Sequence, residues 1–69
     1  MDTVTTVWKH IEEKNVKSLS EQFDTGREAR ESFNSAIGYY TRCAKAYEFV
    51  DIVCHANGRT FNFNFSNGE

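Results

Sequence analysis

The sequence has few of the features that mark a disulfide-stabilised domain or a membrane protein. Its 69 residues include only two cysteines, Cys43 and Cys54, which are too few for a disulfide framework and do not form a CxxC pair. No apolar run reaches the length of a membrane span or of a signal-peptide core, and the residues after Met1 lack a basic region. We therefore expect a cytoplasmic protein with reduced thiols and no membrane partner.

Motifs that carry common catalytic chemistry are also missing. The sequence contains no glycine-rich phosphate loop, no GxSxG and no HExxH. The soft metal ligands Cys43, Cys54, His10 and His55 lack the paired spacing of a zinc site. Cys54 and His55 are neighbours, so a strand would point them to opposite faces. The sequence thus predicts a protein that is not an enzyme and binds neither a metal nor a cofactor.

What the sequence does contain is enough apolar material for one small domain over residues 1–69. Hydrophobic residues make up 39% of the chain and aromatic residues 14%, while the net charge is only −2. Such a composition argues against disorder. A domain of this size buries only about 60% of the surface of its unfolded chain, so we expect a stability of a few kcal/mol.

The strongest local signal is the pair Asn57-Gly58 between two β-rich runs, which predicts a hairpin with a two-residue type I′ turn. This register gives one wholly apolar face, and a slip of one residue would break that face up. The pairs counted outward from the turn are Ala56 with Arg59, His55 with Thr60, Cys54 with Phe61, Val53 with Asn62, Ile52 with Phe63, Asp51 with Asn64 and Val50 with Phe65.

A helix is predicted before this hairpin. Thr25 and Glu28 have the spacing of a capping box at a helix start, and the helix should run to about Cys43 or Lys45. Apolar residues then recur every three or four positions, which is typical of a helix with one buried side. This stripe consists of Ala29, Phe33, Ala36, Ile37, Tyr40 and Ala44.

The first part of the chain is ambiguous between helix and strand. Residues 3–11 have apolar residues at helical spacing, but they are crowded with β-branched side chains, which favour a strand. Residues 16–23 would form a second, weaker strand at a sheet edge. The predicted fold is therefore α+β with the order β-β-α-β-β, in which one amphipathic helix packs on one face of a mostly antiparallel sheet.

A helix on one face of the sheet leaves the reverse face for water or a partner. Aromatic anchors with a polar rim are typical of protein interfaces, so we expect the reverse face to bind a protein. The predicted protein-binding residues are Tyr47, Phe49, His55, Asn62 and Asn64.

Two alternatives use the same elements. Aromatic residues on an open sheet can stack single-stranded nucleic acid, but the basic residues of this chain are scattered along the sequence and Asp51 lies within the patch. Self-association is a third hypothesis, either through the reverse face or through residues 61–65 if they form an edge strand.

In size, acidity, lack of catalytic residues and open-sheet architecture, the whole chain resembles the small host-takeover and anti-defence inhibitors made by bacteriophages. No diagnostic residue carries this resemblance, so no residue role follows from it. It implies a viral protein that inhibits or adapts a larger protein.

Overall fold

In the computed structural model, which describes residues 2–67, four strands form one antiparallel sheet and a single long helix packs on it. The predicted α+β fold and its element order are confirmed. The sheet order is β2-β1-β3-β4, so β1 and β3 are central and the other two strands form the edges. The elements are β1 (Asp2–His10), β2 (Lys17–Phe23), α1 (Gly26–Arg42), a short 3₁₀ turn (Ala44–Ala46), β3 (Tyr47–Ala56) and β4 (Arg59–Ser66).

The hairpin of β3 and β4 forms in the predicted register, with every predicted pair present. Asn57 and Gly58 have φ values of 55° and 76°, which is the left-handed conformation that a type I′ turn requires at both positions. The turn is also anchored from outside the hairpin, because the Asn57 amide donates to a carboxylate oxygen of Asp2 at 3.0 Å. A Cβ atom at Gly26 would collide with the Asn57 side chain, so the helix start approaches this turn closely.

The strand interpretation of the N-terminal residues is also confirmed, since β1 lies between β2 and β3. Its β-branched residues occupy the interior of the sheet, where a pleated surface suits them. β2 is an edge strand, as predicted, and all but its last residue are exposed. Trp8 lies on the helix side of β1, with its ring centroid 6.3 Å from that of Tyr40, and packs against the core.

The helix begins where the capping box predicts. The Thr25 hydroxyl accepts a hydrogen bond from the Glu28 amide at 3.1 Å, and Cys43 caps the other end. The buried side of α1 contributes Ala29 and Phe33 to the core, and it packs mainly across β3. The fully enclosed residues of the sheet are Val50, Ile52 and Cys54.

One predicted position is wrong. Tyr47 was expected on the reverse face, but it is 5% exposed and belongs to the core on the helix side. The reason is a register shift opposite Glu48: Lys9 pairs with Phe49, whereas His10 pairs with Tyr47. An extra residue in one strand interrupts the alternation of side chains. The Tyr47 ring therefore meets the rings of Tyr40 and His10, at centroid distances of 5.1 and 4.5 Å.

Candidate functional site

The candidate site is the face of the sheet opposite α1, the open face. Alternation along each strand and the pairing between strands determine its membership. Four of the five predicted binding residues lie on it, and Tyr47 does not. The open face consists of Ser18, Ser20 and Gln22 on β2, Thr3, Thr5, Val7 and Lys9 on β1, Phe49, Asp51, Val53 and His55 on β3, and Thr60, Asn62, Asn64 and Ser66 on β4.

Three apolar residues occupy the centre of the open face. Val7 pairs with Asp51, so it lies diagonally between Phe49 and Val53 on the neighbouring strand. All three side chains are half-buried although no helix covers them. Their shielding comes from neighbouring side chains of the same face, which leaves an apolar centre that a partner can cover completely.

Hydroxyl and amide groups surround this centre and are hydrogen-bonded to one another. The Thr5 and Ser20 hydroxyls lie 3.0 Å apart, and His55 Nδ1 lies 3.1 Å from the Thr60 hydroxyl oxygen. These cross-strand contacts restrain the polar side chains, although they are exposed. A surface ordered in this way loses less side-chain entropy when it binds.

A chain of amide contacts continues the network on β4. Asn64 Nδ2 donates to the Asn62 side-chain oxygen at 2.9 Å. Asn62 Nδ2 in turn donates to an Asp51 carboxylate oxygen at 2.7 Å and to the Ile52 carbonyl at 2.9 Å. The Asp51 carboxylate therefore has a hydrogen-bond donor within the face. This contact orients Asn62, and Asn62 in turn orients Asn64.

The positive charge on the open face is also satisfied internally. Lys9 Nζ lies 2.6 Å from a carboxylate oxygen of Glu48, and only 18% of the Lys9 side chain is exposed. The Glu48 side chain is 46% exposed, so the pair is only partly buried, and its two opposite charges leave little net charge for a ligand. The open face is thus an uncharged surface in its overall character, with hydroxyl and amide groups around an apolar centre.

The contribution of β1 and β2 to the open face was missed by the sequence reasoning. The sequence predicts the pairing within the hairpin of β3 and β4, but it contains no short-range signal for which strand lies beside β3 on its other side. The alternation of Thr3, Thr5, Val7 and Lys9 identifies one face of β1. Only the pairing of β1 with β3 shows that this face continues the face of Phe49 and Val53.

A second group of residues that sequence reasoning missed is an aromatic cluster at the C-terminal end of α1. Tyr40 lies at its centre, with ring centroids of Tyr39 and Tyr47 each 5.1 Å away. Burial is the largest cause, and a hydrogen bond with Tyr39 the next, of a pKa of Tyr47 that is raised to about 12. Tyr39 is 49% exposed, so the cluster reaches the surface, but its inner rings are packed as core.

Cys54 and His55 do not form a reactive pair. Cys54 is buried on the helix side and His55 is exposed on the open face, as the strand alternation predicts. Burial raises the pKa of the Cys54 thiol, with Arg30 lowering it and Asp2 raising it to smaller extents. A thiol kept in its protonated form is a poor nucleophile.

Within residues 2–67, no three His, Cys, Asp or Glu side chains come together in a way that could hold a metal ion. In the same residues, no helix combines the length and the apolar character needed to cross a membrane. Comparison of the chain with protein-family models, with curated proteins and with solved structures finds no match. The open face is therefore the feature from which a function can be inferred.

Proposed function

We propose that this protein is a small, non-enzymatic binding module that inhibits or adapts a larger protein, which it binds through the open face. The observation that supports the proposal most directly is the asymmetry of the sheet. The helix covers one face, while the other combines a half-buried apolar centre with ordered polar side chains. Interfaces between proteins have this composition, with an apolar centre inside a polar rim.

The chemistry of the open face favours an uncharged partner surface. A bulky apolar side chain of the partner would cover Phe49, Val7 and Val53. Hydroxyl, amide or backbone groups around it would hydrogen-bond to residues such as His55 and Asn64. Strong charge on the partner would find little compensation, because Lys9 and Asp51 already have partners within the face.

Nucleic-acid binding is the alternative, and the charges of the open face argue against it. Phosphate recognition depends on several available lysine or arginine side chains. The basic residue of the open face is Lys9, and its ion pair with Glu48 neutralises it. Phe49 is half-buried among its neighbours, so only part of its ring is available for a base to stack on.

The resemblance to bacteriophage inhibitors suggests where such a protein would act. We place it in the cytoplasm of an infected cell, bound to a host protein. An inhibitor acting there would need a complementary surface and no chemistry of its own.

Affinity capture with matched variants tests the proposal. Wild-type protein, the Phe49→Ala variant and a His55→Ala/Asn64→Ala double variant are immobilised and exposed to cell lysate, with and without nuclease. Glu31→Ala is the control, because Glu31 lies on the exposed side of α1, away from the open face. Circular dichroism checks that each variant is folded.

We expect one protein from the lysate to bind to wild type and to Glu31→Ala, and its binding to persist after nuclease treatment. The amount retained should fall at least about tenfold on both open-face variants. Equal retention on all four proteins would overturn the assignment of the open face. Retention that disappears with nuclease would replace the proposal with the nucleic-acid alternative.

A further inference from the structure

Apart from Arg59 beside the turn, the edge strand β4 lacks the features that normally keep an exposed edge from pairing. Residues 60–67 contain no charged side chain and no proline. The opposite edge strand, β2, carries Lys17 and Glu21, as protected edges commonly do. Within the described residues, no strand pairs with the outer side of β4.

The backbone groups on that outer side can be identified from the hairpin geometry. The type I′ turn makes Ala56 and Arg59 the first hydrogen-bonded pair, and such pairs alternate along an antiparallel ladder. The Asn67 amide donates to the Glu48 carbonyl at 2.8 Å, which confirms that odd-numbered residues of this segment bond toward β3. The outward amide and carbonyl groups therefore belong to Thr60, Asn62, Asn64 and Ser66.

The sequence of β4 is self-complementary around these groups. Residues 61–65 read FNFNF, which is a palindrome centred on Phe63. When two such strands run antiparallel with Phe63 on the symmetry axis, each Phe61 lies opposite the partner's Phe65, and each Asn62 lies opposite the partner's Asn64. Thr60 then lies opposite the partner's Ser66. Every residue whose backbone groups point away from β3 therefore faces such a residue of the partner.

We propose that two copies of this protein pair through β4 in that register and form a continuous eight-stranded sheet. The pairing would give a partner to the outward backbone N–H and C=O groups of all four residues in each strand. It would add about eight backbone hydrogen bonds. Phenylalanine side chains of both copies meet on the helix side, where each chain alone leaves them partly exposed. The interface is isologous, so it closes at two copies.

Other registers satisfy fewer groups. A shift of one residue would set outward backbone groups against groups already bonded to β3. A shift of two residues keeps the hydrogen-bond pattern but places one phenylalanine opposite the partner's Arg59 or Asn67. The register centred on Phe63 is thus the one in which hydrogen bonding and apolar contact agree.

This dimer is independent of the protein-binding proposal. It uses the outer backbone edge of β4 and the helix-side phenylalanines, whereas the proposed partner binds the open face. Pairing would place the open faces of both copies side by side on one sheet, so one dimer could bind two target molecules or one symmetric target.

Sedimentation equilibrium with two variants at one position tests the dimer. Asn64→Pro removes an outward amide hydrogen at a position where an edge strand tolerates proline. Asn64→Ala removes the same side chain and keeps the amide. We expect dimers of wild type and Asn64→Ala, and at least about a tenfold increase of the dissociation constant for Asn64→Pro. A wild-type monomer at millimolar concentration, or a dimer unaffected by proline, would overturn the proposal.

A cysteine pair tests the register and does not depend on the proline variant folding. In a Thr60→Cys/Ser66→Cys variant, the thiol at position 60 of one copy faces the thiol at position 66 of the other copy. Mild oxidation should therefore give covalent dimers. The two single variants are controls, because identical positions lie about 20 Å apart across the axis. Cross-linking of the single variants to the same extent, or none in the double variant, would contradict the register.

Discussion

The two faces of strand β3 show how one stretch of chain can build both the core and the candidate binding surface. On the helix side, Val50, Ile52 and Cys54 are fully buried. On the open face, the intervening Asp51 and Val53 are only half-buried. Residues next to one another in sequence thus differ in what they contact, and truncation should affect stability on one side and binding on the other.

The largest expected effect comes from the helix side. Ile52→Ala should cost about 4 kcal/mol, because it leaves a cavity among fully buried neighbours. That loss is enough to unfold most of the protein at room temperature. Val53→Ala, one residue away on the open face, is the matched control and should cost only about 1 kcal/mol. Urea unfolding monitored by circular dichroism measures both, and equal losses would remove the contrast between the faces.

A smaller effect is expected where the helix side reaches the sheet edge. Phe63 belongs to the apolar face of the hairpin but is partly exposed on β4. We expect Phe63→Ala to cost about 2 kcal/mol, less than the figure of about 3 to 5 for a fully buried phenylalanine. Urea unfolding should be measured at low micromolar and at high protein concentration. A loss that is the same at both concentrations comes from packing within the chain, whereas a loss that grows with protein concentration comes from the proposed dimer.

Alkaline pH should weaken the helix side selectively through Tyr47. Its pKa is about 12 in the folded protein, and the unfolded chain ionises a tyrosine near the ordinary value of about 10. Its contribution is fully present below about pH 10 and is lost as the pH rises toward 12, on the order of 2 kcal/mol. In thermal melts across this range, wild type should lose stability relative to Tyr47→Phe as the pH rises, because the variant has no phenol to ionise. Parallel curves would contradict the burial of this phenol.

The smallest effect on stability is expected on the open face. The His55→Ala/Asn64→Ala double variant removes two exposed side chains whose hydrogen bonds are also exposed. The free energy of unfolding should change by less than about 0.5 kcal/mol for each substitution. A melting temperature that fell as far as that of Ile52→Ala would show that these side chains support the fold.

Local signals in the sequence predicted much of this fold. Asn57-Gly58 specified the turn and register, because both positions need the left-handed backbone that these residues tolerate. The Thr25 and Glu28 pair specified the helix start, because the threonine side chain bonds the Glu28 amide. Each signal acts between residues close in sequence, so no knowledge of the sheet order was needed.

Contacts between distant segments account for what the sequence did not predict. The position of Tyr47 depends on a register shift against β1, about forty residues earlier in the chain. The contribution of Val7 to the open face depends on the same pairing. Only the part of the candidate site on one hairpin could therefore be predicted, and four of the five predicted residues lie on the correct face.

Photo-cross-linking tests the central claim, that the open face contacts a larger protein, most directly. In one variant a benzoylphenylalanine replaces Phe49. In the other it replaces Glu31, which lies on the outer side of α1. Both variants are irradiated in cells that contain the target. We predict one covalent adduct with a larger protein from position 49 and none from position 31. An adduct from position 31 with none from position 49 would contradict the claim.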